Sequence, residues 1–249
     1  MHIDIVPNRN SKPAVLLRES YREGGKVRKR TLGNLSSLPM EQVLATRRAL
    51  GVTVNDVALA TVAGALRRYC RAVGIDPETL RGVRALVPVN NRAPDDRRLG
   101  SNVSSLFVDL PVDEPDLRRR AERIAGRSRE LKSLDVAEGA NMWARVTSVI
   151  PPALLRAASW FQFRGLMANA NLMVSNVRGP ATPVYSFGAE VREFFPYFGV
   201  QDGLGLNIVL VSYNGNLLIG AAADPDLLPE LGVFVEGLRK SFGELASIV

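Results

Sequence analysis

Histidine is almost missing from this 249-residue sequence: His2 is the only one, and it lies at the extreme N-terminus. Histidine is the side chain that most often serves as a general base near neutral pH. Unless His2 reaches them, residues 51–249 therefore cannot hold a Ser-His-Asp triad, a Cys-His pair or a His-ligated zinc. Cysteine is as scarce. Cys70 stands alone, so no intramolecular disulfide can form and nothing points to an oxidising compartment. No apolar run is long enough to span a bilayer and no apolar signal region opens the chain, so the expected location is the cytoplasm. No Asp/Glu cluster has the spacing of a metal loop, and neither a metal nor a cofactor is expected.

What is present is distributed unevenly. Residues 1–50 hold 10 Lys+Arg and 4 Asp+Glu, whereas residues 51–249 hold 22 and 21. Nearly all of the net charge of +7 therefore belongs to the first fifth of the chain. Such a step marks two parts of different origin or task, a basic fragment 1–50 and a domain 51–249. The domain has the composition of a globular protein and ample length for a core.

The division falls at Gly51-Val52-Thr53-Val54-Asn55-Asp56, where Thr53 and Asp56 have the spacing of a helix capping box. Val54, Ala58, Val62, Ala65, Leu66 and Tyr69 then recur at helical spacing up to Gly74. Before that point, segments 13–21 and 26–32 flank Gly24-Gly25 as a hairpin, and Pro39 opens a short helix to Leu50. Lys26, Arg28, Lys29 and Arg30 crowd the second strand of that hairpin. A solvated edge strand guarded by charge explains them better than phosphate contact, and nucleic acid is not expected as a partner.

Beyond the first long helix, strands are expected over 83–89 and through Leu106, Val108, Leu110 and Val112, with a helix opening at Asp113-Glu114-Pro115-Asp116. That helix carries an apolar stripe from Leu117 to Leu131, and an outer face with Arg118, Arg119, Arg120, Arg123, Arg127 and Arg129. Pro151-Pro152 starts another helix, rich in large apolar residues such as Trp160 and Phe161. Strands follow at 171–177 and 184–191. Asn214-Gly215 then joins the continuous apolar runs 206–212 and 217–222 as a hairpin that must be covered on both faces, and a final helix spans 227–245.

Two resemblances emerge from these motifs. Pro7-Asn8-Arg9-Asn10-Ser11, Leu16 to Arg22 and Gly25 to Leu35 resemble the extreme N-terminus of a family of bacterial insertion-sequence transposases, whose catalytic acidic triad lies in a later domain that has no counterpart in this sequence. Thr53-Val54-Asn55-Asp56-Val57, Val87-Pro88-Val89-Asn90, Leu99-Gly100-Ser101-Asn102, Ser175-Asn176-Val177-Arg178-Gly179-Pro180 and Tyr197-Phe198-Gly199-Val200 through Asp224-Pro225 resemble the C-terminal half of the bacterial wax ester synthase/diacylglycerol acyltransferase family. An insertion event joining the two near residue 50 would account for both.

The second resemblance implies an α+β (α/β sandwich) fold, the C-terminal half of a chloramphenicol acetyltransferase-like CoA-dependent acyltransferase, preceded by a small basic hairpin plus helix. It also implies transfer of an acyl group from acyl-CoA, a substrate and not a resident cofactor, to a fatty alcohol or diacylglycerol. In that family an HHxxxDG motif in the N-terminal half supplies the histidine that deprotonates the hydroxyl. No such motif occurs here, so no catalytic residue is assigned and the chain alone is expected to be inactive. The implied partners are an HHxxxDG-bearing half, acyl-CoA, the lipid alcohol and a membrane or lipid-droplet surface.

By motif position, Asn55 and Asp56 are the candidates for holding tunnel geometry, and Ser175, Asn176, Gly179 and Pro180 for a tight turn beside it. For Asn90, Asn102 and Asn176 a turn residue bonding its own backbone is the simpler reading, and for Gly179 a backbone-permissive position. The alternative to a half-enzyme is a non-catalytic remnant or interaction protein. Either way, an uncovered half-fold is expected to expose apolar surface and to be poorly soluble alone.

Overall fold

The computed structural model describes residues 2–6, 14–23, 26–90, 103–133 and 169–248. The predicted turn at 93–98, Asn102, Gly24-Gly25 and the helix begun by Pro151-Pro152 lie outside them. Among the described residues ten strands form: β1 (His2–Val6), β2 (Ala14–Glu23), β3 (Lys26–Pro39), β4 (Arg84–Asn90), β5 (Val103–Asp109), β6 (Leu172–Arg178), β7 (Val184–Ser186), β8 (Ala189–Val191), β9 (Leu206–Tyr213) and β10 (Asn216–Ala223). Four α-helices accompany them there: α1 (Met40–Leu50), α2 (Val54–Ala72), α3 (Leu117–Ser133) and α4 (Leu231–Ala246).

All of these strands but β7 and β8 belong to one mixed sheet, in the order β1-β2-β3-β10-β9-β6-β4-β5. β4, β6 and β9 run parallel, and the remaining neighbours are antiparallel. The hairpin predicted before Gly51 thus exists with longer strands, and β3 pairs with β10 from Asn216↔Pro39 to Ala222↔Gly33. Asn214 and Gly215 take positive φ of 43° and 78° between β9 and β10, as a two-residue hairpin loop requires.

Helix α2 lies at the centre of the core. Its capping box fixes where it starts, and its side chains are buried nearly all round from Asp56 to Cys70, not on one stripe alone. One side meets the sheet: Val57, Ala58, Thr61 and Val62 face Ile208, Leu210, Leu217 and Ile219, with Leu238 and Phe242 of α4 beside them. This apolar seam is the main core of the domain, and Val43 of α1 is buried in it. The two-sided burial expected for β9 and β10 is present, with α2 and α4 as the cover on one face.

Several expectations need correction. The single strand expected over 184–191 is the β7–β8 hairpin, turned at Phe187-Gly188, and β5 ends at Asp109 without reaching Val112. Arg120 does not lie on the outer face of α3. It is 3% exposed, and its guanidinium donates to the Glu114 carbonyl at 3.1 and 2.7 Å, which ties the helix to its own lead-in loop. The single stripe fails because α3 packs on α2 and also borders α4, so the buried arc is wider. The final helix begins at Leu231, four residues later than expected. Asp224 accepts the backbone N–H groups of Asp226, Leu227 and Leu228, forming a closed turn that Pro229 separates from the helix.

Candidate functional site

The sheet opens at one end. β6 and β9 stay in register from Leu172↔Leu206 to Arg178↔Ser212, but β4 and β6 share only Ala85↔Leu172 and Leu86↔Met173. Beyond that, residues 87–90 and 174–178 face one another without a common ladder. Proline explains the parting. The Val83 carbonyl accepts from Leu110, just after β5, and the Arg84 carbonyl accepts from Asn171, just before β6. Peptide groups alternate along a strand, so Leu86, Pro88 and Asn90 address β6, and Pro88 has no N–H with which to continue that ladder.

At the closed end Asn171 ties three strands. Its Oδ1 accepts the Arg84 N–H at 2.8 Å and its carbonyl accepts the Gly205 N–H at 2.9 Å. In open α/β sheets, ligands lie beyond the carboxyl ends of parallel strands, where neighbours diverge. The opening between β4 and β6 has that position.

Most of the residues singled out in the sequence gather at this end. Asn55 and Asp56 are in the first turn of α2, and Val57 and Ala58 just after them line an apolar cavity shared with Leu38, Ile208 and Leu217 of the sheet. Asp56 is 2% exposed. Its Oδ2 accepts from the Thr53 N–H at 2.9 Å and from the Thr53 hydroxyl at 2.7 Å, and its own N–H donates to Thr53 Oγ1 at 3.2 Å. Oδ1 is buried with no hydrogen-bond partner. Alternation along β6 puts Asn176 with Val174 on the helix-covered face, whereas Ser175 is on the opposite face, as Asn90 is on β4. Asn102 lies outside the described residues. The candidates on β4 and β6 therefore share one end of the sheet but are divided between its two faces.

Gly179 and Pro180 clamp the exit of β6 to the β9–β10 loop. The Gly179 N–H donates to Ser212 Oγ at 3.1 Å, and the Pro180 carbonyl accepts from Asn214 at 3.1 Å. A Cβ on Gly179 would stand 2.3 Å from the Ser212 carbonyl oxygen, so glycine is required here for close approach and not for a positive φ. Gly179→Ala should cost about 1–3 kcal/mol. Urea denaturation checks this, and an unchanged midpoint would mean that the two backbones are further apart.

Other contributors escaped the sequence reading. Asn207, 1% exposed on β9, donates its Nδ2 to the Gly199 carbonyl at 3.2 Å, holding the Tyr197-Phe198-Gly199-Val200 stretch on the sheet, while its Oδ1 is buried without a partner. An asparagine in an otherwise apolar strand was the available signal. Tyr213 accepts the Val184 N–H at 3.0 Å and donates to the Val191 carbonyl, anchoring both ends of the β7–β8 hairpin. The turn of that hairpin holds Phe187 at φ 50°, fully exposed, with Tyr185 66% exposed nearby.

Lys26, Arg28, Lys29 and Arg30 fall where β3 pairs with β2, before the stretch that pairs with β10. Among the described residues no group of three His, Cys, Asp or Glu side chains could hold a metal ion. The chemistry at the open end is that of carboxamides, hydroxyls, backbone groups and one carboxylate committed to a helix cap. Such a set can orient a polar ligand and wall a channel.

Comparison with known proteins agrees with this geometry. The WS/DGAT C-terminal domain model matches residues 99–246, and the IS1634 family transposase N-terminal domain model matches residues 3–72. A Mycobacterium tuberculosis protein named for diacylglycerol O-acyltransferase activity is 32% identical over 227 residues, covering 84% of this chain and 42% of its own length. That is more than the four fifths of the chain after Gly51, so the likeness reaches upstream into the basic segment. The wax ester synthase/diacylglycerol acyltransferase of Marinobacter aquaeolei VT8 superposes with a TM-score of 0.62 at 28% identity, over 85% of this chain and 47% of that enzyme. An epimerization domain of tyrocidine synthetase B shares the fold alone, with a TM-score of 0.52 at 12% identity. The chain spans less than half the length of these relatives, and its matched C-terminal domain together with these likenesses shows that it belongs to the wax ester synthase/diacylglycerol acyltransferase family.

Proposed function

We propose that this chain forms the C-terminal wall of an acyl-CoA-dependent O-acyltransferase site and turns over only when a histidine-bearing half docks against it. In the reaction, the oxygen of a fatty alcohol or diacylglycerol attacks the thioester carbon. The C–O bond forms, the C–S bond breaks, and the hydroxyl proton ends on the CoA thiol. A base must take that proton on the way. The observation that carries the reading is the parting of β4 from β6 in a domain of this family that contains no histidine after His2. The open end supplies hydrogen-bonding groups and apolar wall, and the base comes from the partner half.

Exposed aromatic residues support a docked or lipid-bound state, because Tyr185, Phe187, Tyr197 and Phe198 all stand in or beside the β7–β8 region. The partners are accordingly a complementing half, acyl-CoA and a lipid alcohol, at a lipid surface reached from the cytoplasm.

The test measures thiol release from a long-chain acyl-CoA in the presence of a fatty alcohol or diacylglycerol, first with this chain alone and then with a separately expressed HHxxxDG-bearing half. No release alone and release in the mixture is the expected result. Release by the chain alone would demand a base within it, and silence in both arms would leave a non-catalytic remnant of the family.

A further inference from the structure

We infer that β1, β2 and β3 are a built-in strand donor that closes the acyltransferase sheet at β10, so that this half of the fold ends on a guarded edge without a second half beside it. β10 is buried from Leu217 to Ala222 on both faces, and without a neighbour it would present a bare apolar edge, the kind that recruits other chains. β3 covers it in register over seven pairs. β3 lies within the part matched by the transposase model, 3–72, which also takes in α2.

The register also identifies which peptide groups carry the closure. Met40 donates its N–H to the Gly215 carbonyl at 2.9 Å, so by alternation Leu38, Ser36 and Asn34 aim their N–H groups at β10, and Pro39, Ser37 and Leu35 aim away from it. The natural Pro39 therefore withholds no bond from β10. Next in order, β2 and β1 move the open edge outward to a strand of only five residues, and very short edge strands resist pairing. α1 completes the attachment, with Val43 and Thr46 fully buried. The basic segment is thus a working part of this fold whatever the chemistry of the domain, and the proposal stands or falls independently of acyl transfer.

Two single prolines in the full chain test it. Ser36→Pro removes a donor aimed at Ile219, while Ser37→Pro, one residue away, removes a donor aimed to the other side, past Val15↔Leu35, the last pair in register with β2. Ser36→Pro should lower the thermal midpoint by about 6–12 °C and speed amide exchange at Leu217, Ile219 and Ala221, while Leu218 and Gly220, which address β9, stay protected. If Ser36→Pro does not fold at all, a soluble Ser37→Pro with a midpoint near wild type sustains the proposal. Equal losses in the two variants, or no loss in either, would overturn it.

Discussion

Gly64→Ala should destabilise this protein more than any other single methyl group, by about 3 kcal/mol or more. A Cβ at Gly64 would stand 2.0 Å from Ser241 Oγ, 2.7 Å from Arg120 Nη1 and 3.0 Å from Ser241 Cβ. Neither neighbour can swing away. Ser241 is fully buried in α4, and the Arg120 guanidinium is held by the Glu114 carbonyl. Burial pushes the Arg120 pKa below its ordinary value, with the Arg67 charge acting in the same direction. One turn away the crossing is also close, though less so, since a Cβ on Gly237 would lie 3.2 Å from the Ala65 carbonyl oxygen. Close helix approach through small residues therefore joins α2 to α4.

A double mutant isolates the cause. Ser241 Oγ is buried without a hydrogen-bond partner, so Ser241→Ala alone should change stability by no more than about 0.5 kcal/mol. Combined with Gly64→Ala it removes the shortest clash and should recover a large part of the loss, a coupling of about 1–2 kcal/mol. Denaturant unfolding of the four proteins reads this out, and simple additivity would mean that the two helices are not in contact at these residues.

Arg67→Ala should cost about 3 kcal/mol, because a buried guanidinium is removed from two backbone carbonyls that nothing else would satisfy. Arg67 is 4% exposed. Its Nη1 donates to the carbonyls of Val112 and Asp113 at 3.0 and 2.9 Å, and its Nη2 to Glu78 Oε1 at 3.0 Å. The energy lies in the carbonyls. The Glu78 side chain is 62% exposed, so Glu78→Gln should cost at most about 1 kcal/mol. Arg67→Lys keeps the charge but not the fork, and should fall between the two. If Glu78→Gln were as damaging as Arg67→Ala, the ion pair and not the carbonyl clamp would hold the 112–115 loop to α2.

Much of the fold is determined within a few residues of sequence. The capping box begins α2 at the predicted place, because Thr53 and Asp56 satisfy backbone donors only if a helix starts there. The Asn214-Gly215 loop and its apolar flanks set the β9–β10 hairpin in the same local way, through backbone angles that few residues accept. Histidine scarcity, the charge step and the Ser-Asn-Val-x-Gly-Pro motif also need no coordinates, and they direct attention to the C-terminal half of an acyltransferase and to the end of the sheet that opens.

Tertiary structure decided the rest, because the deciding neighbours are far apart in the chain. Arg120 looks like one more arginine on a solvated face until α2 and α4 close over it. Asn207 looks like a flaw in a strand until Gly199 folds back onto it, and Pro88 acquires a role only when β6 arrives beside β4. Gly64 reads as a weak point in a helix, yet it is the position where Ser241, some 177 residues later, leaves no room for a side chain. The basic segment shows the contrast most plainly. Its composition marks it as foreign to the acyltransferase domain, and only strand pairing, a long-range choice made by hydrogen bonds and register, gives it a place next to β10.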